Sequence, residues 1–485
     1  MAGSPSEVRQ RKQANGSSNC QVSNSNGRFV PTEAGKKKDI EGDTHHKYEF
    51  GGPPGVIGMM VGFPMLMYYL WACLWFYQGK FVHPSSVEDI KPFLRTMAAH
   101  VREDAYPTAW AVKSYLGLMA FQLILAFIVP GKKQNGLPVA SLNYKTLVYH
   151  CNAIGCWYIT LVTAGIVHYF DIFDLTTVID NFGPLMTVAM IVGFALTTAV
   201  YFGSVFLGWG GQPIRMSGNF FYDYFMGAAL NPRIGSVDLK MWQEVRIPWV
   251  LLFLIALSAT LKQYREIGYV TANMAFMLLA TALYINACAK GEEMIPTTMD
   301  MIHEKDGFML TFWNFAGTPF TYSYSILYLH RTNPEVYKMS TPATFGLFGL
   351  LLLSYYIFDT ANSQKSIFRM EQNADYVPRK AFPQLPWRRV NNPTFIQSQH
   401  GSKLLTSGWY KFAVKPHYTA DLIQSLTWGL STGLSTPIAY FYPVWFIIVL
   451  VHRCGRDFEK CAAKYGKDWD RYMAVVKYKF IPGVY

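Results

Sequence analysis

Charged side chains are scarce in this sequence. They make up 15% of its 485 residues, against roughly 25% in an average soluble protein. Hydrophobic residues reach 51% and aromatics 16%, which excludes a string of water-soluble domains. Cysteine is sparse as well: 7 residues, at positions 20, 73, 151, 156, 288, 454 and 461. Cys151 and Cys156 lie five apart in an apolar run, and none falls at metal-ligand spacing, so they read as reduced and structural, with no metal site. No apolar stretch follows Met1, so a cleavable signal peptide is not expected and insertion relies on the first internal span. No GxGxxG follows a strand in a βαβ context, so a Rossmann domain is not implied.

What is there is a series of apolar blocks of bilayer-spanning length. They lie at about 55–77, 108–130, 146–168, 182–208, 247–261, 268–288, 307–329, 342–359, 422–433 and 436–451. The expected fold is an all-α polytopic membrane protein with about ten transmembrane helices. Asn152 stands inside the third block, and Ser435-Thr436-Pro437 splits the last two into a hairpin or re-entrant pair. Residues 1–48 are polar, aperiodic and rich in Ser, Asn, Gly and Lys, which predicts a disordered cytosolic tail.

Cations set the orientation. The segment 362–415 carries Lys365, Arg369, Arg379, Lys380, Arg388 and Arg389, and the stretch after His452 carries Arg453, Arg456, Lys460 and Lys464. Both flank the last hairpin, so both belong on one side, the cytosol. The net charge of +12 reads the same way, as cytoplasmic loops rather than nucleic-acid binding.

Four constellations have chemical potential. Lys365 and Arg369 are i, i+4 and on a helix would clamp phosphate groups, or else snorkel to lipid headgroups. In WYKFAVKPHYTAD (409–421), Tyr418 offers a stacking ring while His417 and Asp421 offer hydrogen bonds; a plain loop at a helix start is the other reading. If 452–465 is helical, Arg453, Asp457, Cys461 and Lys464 share one face beside Tyr465. That stripe suits a large anionic ligand with a flat ring, or is a solvated amphipathic face. Finally, Asp300, His303 and Glu304 stand next to an apolar run, either at membrane depth or in a polar loop.

These residues sit in segments that carry a family likeness. GGPPGVIGMMVGFPMLMYYLW, LNPRIG, KGEEMIPTTMD, DGFMLTFWNFAGTPFTYSYSILYL, NSQKSIFR, SGWYKFAVKPHYTAD and CAAKYGKDWDRYM…IPGVY resemble the integral-membrane sterol reductases of the ergosterol and cholesterol pathways. The resemblance runs from about residue 50 to 485. KGEEMIPTTMD, FWNFAGTPFTYSYSILYL and the IPGVY end are most similar to the branch acting on the C-24(28) bond. Two departures stand out: Ala229 occupies the Glu of the C-14 and C-7 branches' GRELNPRIG, and His417 follows Pro416 where the family has Asn.

The resemblance implies a membrane domain over 49–485 in the endoplasmic reticulum, both termini cytosolic, with NADPH bound by the C-terminal half, about 342–485. Carried over by motif, Lys365 and Arg369 fall at phosphate positions, and Trp409, His417, Tyr418, Asp421, Arg453, Asp457 and Tyr465 in the rest of the cofactor pocket. The implied reaction is NADPH-dependent reduction of a sterol C-24(28) double bond. Such an alkene is unactivated, so an acid must protonate it before hydride adds. Glu304, Asp300, His303, Tyr322 and Tyr324 are the candidates, with Glu304 expected to be protonated at neutral pH. A C-14 or C-7 reductase, a membrane methyltransferase and a non-enzymatic sterol-binding protein are the alternatives.

Overall fold

Gly51, at φ 74°, turns the chain into Pro53 and Pro54, whose fixed φ starts the first long helix, α1 (Gly52–Phe76). The computed structural model describes residues 21–23, 29–31, 40–41, 48–372, 376, 378, 381–399 and 401–485. Within the N-terminal tail, Gln21–Ser23 pairs antiparallel with Phe29–Pro31. The disorder expected of the remainder of 1–48, and the cations Arg379 and Lys380, lie outside the described residues.

After α1 come α2 (Ile90–Asp104), α3 (Ala109–Ile128), α4 (Ala153–Tyr169), α5 (Phe182–Leu207), α6 (Ile247–Ile267) and α7 (Ala272–Lys290). The C-terminal half holds α8 (Tyr324–Arg331), α9 (Thr341–Gln372), α10 (Pro416–Leu430), α11 (Phe441–Tyr465) and α12 (Lys467–Val475). Thr108 and Thr271 cap α3 and α7 by accepting from Ala111 N and Met274 N.

Among the described residues, seven helices are long and apolar enough to cross a membrane: Gly52–Phe76, Ala109–Ile128, Phe182–Leu207, Leu239–Ile267, Ala272–Lys290, Thr341–Gln372 and Ile438–Tyr465. Three of the ten expected spans therefore differ. The third block shortens to 17 residues, because Lys145–Cys151 is a strand paired with Lys132–Val139. Leu147 and Tyr149 point inward and Val148 outward, a period of two hidden inside an apolar run. The seventh breaks into Phe308–Phe312, a π turn at Trp313–Gly317, Thr318–Thr321 and α8. Such wide turns recur at functional sites. The ninth is α10, at 15 residues.

Side-chain contacts sort the helix ends into two groups. At one end Arg456 pairs with both Glu49 (3.0 Å) and Glu304 (2.9 Å), Arg453 with Asp300 (2.6 Å), and Arg246 with Glu292 (2.8 Å). At the other, Thr436 Oγ1 donates to Gly79 O at 2.7 Å and Asn273 Nδ2 to Ser431 O at 2.6 Å. Gly79 has φ 76°, and a Cβ there would meet Thr436 Oγ1 at 2.8 Å. Between the two ends lies a core of α1, α5, α6, α7 and the broken helix, with Trp71, Phe182, Met274 and Phe320 fully enclosed.

Asn152 is a joint between three segments. Its Nδ2 donates to Val129 O (2.7 Å) and its Oδ1 accepts from Arg246 (2.5 Å), while Glu292 also accepts from Ala153 N (2.6 Å). Arg246 and Glu292 are 4% and 2% exposed. Removing one partner of a buried pair costs about 3–5 kcal/mol, whereas replacing both by apolar groups is often neutral. Arg246→Met is therefore expected to lower detergent-solubilised stability in that range, and Arg246→Met/Glu292→Leu by less. Chemical unfolding followed by tryptophan fluorescence checks it; a double variant as weak as the single would contradict the pairing.

Candidate active site

Helices α9, α10 and α11 converge at the end that carries Arg453 and Arg456. Lys365 and Arg369 lie one turn apart on α9, with Lys365 Nζ 5.4 Å from the Tyr410 ring centre. The turn after Ala413 brings Lys415 in: it pairs with Asp457 of α11 at 2.5 Å and lies 5.7 Å from the Tyr418 ring. His417 meets Tyr418 edge to face at 4.7 Å. The electrostatic neighbours of Lys365 are Lys415, Arg369 and Asp457, so cations outnumber acids here. Trp409 sits just above, its backbone N–H held by Gln364 Oε1 and its indole N–H by Thr360 Oγ1, both at 2.9 Å. The structure thus brings together Lys365, Arg369, Trp409, His417, Tyr418, Arg453 and Asp457. Tyr465 stacks near Trp469 (6.3 Å) in an aromatic group formed with α12.

From this basic rim a polar line runs down α10. His417, Asp421, Gln424 and Trp428 are spaced i, i+4, i+7 and i+11, which places them on one face. His417 Nδ1, Asp421 Oδ1, Gln424 Nε2 and Trp428 Nε1 are all buried without a hydrogen-bond partner. Buried polar atoms are paired in nearly every fold, and a lone orphan costs about 1–3 kcal/mol. Four in a row over about 16 Å of helix leave this face of α10 with unmatched hydrogen-bonding capacity. The Tyr284 hydroxyl faces both Asp421 and Tyr442 of α11 and bonds them from the side. Tyr322 stacks on Tyr442 at 3.7 Å, and Trp313 and Trp445 close the aromatic wall at 5.1 Å from each other.

The acidic segment after α7 behaves differently from expectation. Asp300 and Glu304 serve α11: Asp300 pairs with Arg453, and Glu304 pairs with Arg456 at 2.9 Å, with Lys460 at 3.8 Å. Burial pushes the Glu304 carboxyl up, but Arg456 and Lys460 outweigh it and hold it below the usual carboxylate range. Glu304 is thus an ionised partner, which corrects the expectation of a protonated acid. The environment expected for it occurs two residues on. Asp306 is enclosed, and burial pushes it up to about 6 against the opposing pull of Lys240 and hydrogen bonds from Gln243 (2.6 Å) and Thr311 (3.1 Å). Tyr324 is also occupied, its hydroxyl donating to Met67 O at 3.1 Å. Of the expected acids, Tyr322 is the one placed in the aromatic cluster with Tyr442 and Trp313.

Tyr410, Lys415, Gln424, Trp428, Tyr442 and Asp306 went unnoticed in the sequence. The α10 stripe had a usable signal, polar residues recurring at helical spacing through LIQSLTWGL. Tyr442 and Asp306 had none, since their neighbours come from distant segments.

His303 supplies a pH test. Arg215 Nη1 lies 2.8 Å from Nδ1 and 2.9 Å from Nε2; a guanidinium only donates, so one ring nitrogen must accept from it and the ring stays neutral. Burial and then Arg215, Lys460 and Arg456 push its pKa down to about 2. Its folded pKa is thus below its unfolded value near 6.5, so the unfolded state binds the extra proton. The stability is complete above about pH 6.5 and falls by about 1.4 kcal/mol per pH unit below it. Unfolding at pH 7 and 5 is expected to differ by about 2 kcal/mol from this group, and His303→Asn is expected to flatten that difference.

Residues 44–485 match the ergosterol biosynthesis ERG4/ERG24 family. It is 41% identical over 442 residues to a Delta(24(24(1)))-sterol reductase of Aspergillus fumigatus, covering 91% of this chain and 93% of the relative. A Delta(24(24(1)))-sterol reductase of Gibberella zeae is 40% identical, with 92% of this chain and 74% of the relative covered. A Delta(14)-sterol reductase of Dictyostelium discoideum is 36% identical, with 93% and 96% covered. With its apolar spans, its basic rim and a buried polar face leading to an aromatic cluster, the chain belongs to the ERG4/ERG24 family of sterol double-bond reductases.

Proposed function

We propose that this protein reduces the C-24(28) double bond of a sterol with NADPH, in the endoplasmic reticulum membrane, at the last step of an ergosterol-type synthesis. The observation that carries this reading is the line of unpartnered buried groups on α10, which joins a cationic rim to an aromatic interior. The two Delta(24(24(1)))-sterol reductases at 40–41% identity support the position of the bond.

The residues present fit the cofactor. Lys365 and Arg369 hold phosphate groups, Arg369 as a bidentate fork and Lys365 as a point charge. Lys415 and Arg453 add charge, held in place by Asp457 and Asp300. Trp409 and Tyr418 offer flat faces, and His417, Asp421 and Gln424 offer hydrogen bonds to polar edges. When bound, the reduced nicotinamide supplies hydride. The chain's part is to hold it against the sterol, exclude water and place a proton. Protonating the exocyclic CH₂ leaves positive charge on tertiary C-24, so its surroundings have to be dry and electron-rich. Tyr322, Tyr442, Trp313, Trp428 and Trp445 meet that need with ring faces rather than carboxylates.

In this reading Tyr322 donates the proton, and Asp300 and Glu304 position Arg453 and Arg456. Asp306 is the second candidate, favoured by a carboxyl pushed up to about 6 in an enclosed setting. General-acid catalysis typically contributes about 10²–10⁴-fold. Tyr322→Phe is expected to lose turnover in that range while still binding NADPH, and Glu304→Gln is expected to weaken stability more than turnover. Full activity of Tyr322→Phe alongside loss in Asp306→Asn would move the acid to Asp306.

Arg369→Ala is expected to raise the KM for NADPH far more than that for sterol, by the loss of a charge-assisted contact of about 1.5–3 kcal/mol. Equal effects on the two substrates would remove Arg369 from the phosphate site. For the bond reduced, sterol profiling of cells lacking the protein decides. A 24(28)-methylene sterol is expected to accumulate; a Δ14 or Δ7 sterol would place the enzyme in a sibling branch.

A further inference from the structure

Helix α2 (Ile90–Asp104) joins the ends of α1 and α3, and none of its 15 residues is buried. Two faces of it are accounted for. Met97 and Val101 pack against the core, and His100 stacks on Phe76 at 3.8 Å while its Nε2 lies 3.0 Å from the Tyr77 hydroxyl. A polar side with Thr96 and Glu103 faces outward. Beside the packed residues stand apolar side chains that nothing among the described residues covers. Val87, in the turn just before the helix, is 84% exposed, Ile90 42% and Leu94 58%. At about 100° per residue, Ile90 and Leu94 fall within 40° of each other. Lys91, Arg95 and Arg102 follow next around the helix, at about 100–140°. The order around the helix is therefore an apolar sector, part packed and part exposed, then a basic one, then a polar one.

The height of the helix is fixed as well. Phe76 is the last residue of a membrane-spanning helix, and the His100 stack holds α2 at that level. Its apolar strip therefore lies level with the end of that span. An amphipathic helix with basic residues bordering its apolar face is the form that lies in the plane of the lipid headgroups. There, lysine and arginine stems lie along acyl chains while their charges reach phosphate.

We propose that α2 is an interfacial helix, with Val87, Ile90 and Leu94 inserted among the acyl chains and Lys91, Arg95 and Arg102 contacting lipid phosphates. It fixes the depth of α1 and α3 in one leaflet, at the end of the bundle opposite the basic rim.

The test uses the full-length protein in vesicles of phosphatidylcholine with anionic phosphatidylserine. Spin labels are placed by Leu94→Cys and, as a control on the polar side, Glu103→Cys; the unsubstituted protein gives the background from native cysteines. Accessibility is read with oxygen, which concentrates in lipid, and with a water-soluble nickel chelate. The expected result is an oxygen-to-nickel ratio several-fold higher at 94 than at 103. Equal access of nickel to both positions would put the strip in water and overturn the proposal. A label at 94 reached by neither reagent would mean that a protein surface covers it, which overturns the proposal equally. Retained sterol binding by both labelled proteins establishes that the fold is intact.

Discussion

Charges enclosed at one end of the helix bundle must find partners, and that requirement orders everything around them. Removing a guanidinium or carboxylate from water costs several kcal/mol unless an opposite charge with good geometry compensates. Helix α11 carries Arg453, Arg456 and Asp457 into this region, and each is met from outside the helix: by Asp300, by Glu304 with Glu49, and by Lys415. Those pairs set the rotation of α11 about its axis. Once it is set, Tyr442 and Trp445, a few turns earlier on the same helix, can only face Tyr322 and Trp313.

The pairing also explains why acids and cations divide as they do. Asp300, Glu304 and Asp457 are spent on holding arginine and lysine side chains in place. The region around Lys365 keeps a surplus of positive charge, which is what an anionic ligand needs. Below the rim the chain changes strategy. His417, Asp421, Gln424 and Trp428 offer hydrogen-bonding atoms that the protein leaves unmatched, and the interior beyond them is aromatic. A polar, flat-ringed ligand satisfies the first part, and an apolar one bearing transient positive charge satisfies the second.

Much of this was legible early. Apolar runs located most of the long helices, because length and hydrophobicity are additive properties of local sequence. Lys365 with Arg369, and His417 with Tyr418 and Asp421, were readable because i, i+4 neighbours and adjacent residues stay close whatever the tertiary fold. The third block failed because Lys145–Cys151 reads as apolar on average while its burial alternates. The seventh failed because a π turn at Trp313–Gly317 is set by packing, with the Gly317 Cα pressed against the Trp313 indole. Glu304 was misjudged because burial alone raises a carboxyl pKa, and its partner Arg456 lies 152 residues away.

The sequence by itself determined a chain that has to live in a membrane, the approximate positions of its helices and its likeness to the sterol reductases. All three depend on composition and on contiguous motifs, which need no knowledge of long-range contacts. Long-range packing alone settles which acids are ion-paired, that Asp306 has a raised pKa while Glu304 has a lowered one, and that Tyr322 stacks on Tyr442. The protonation state of a group is fixed by the charges and dipoles within a few ångströms, and those come from segments far apart in the chain.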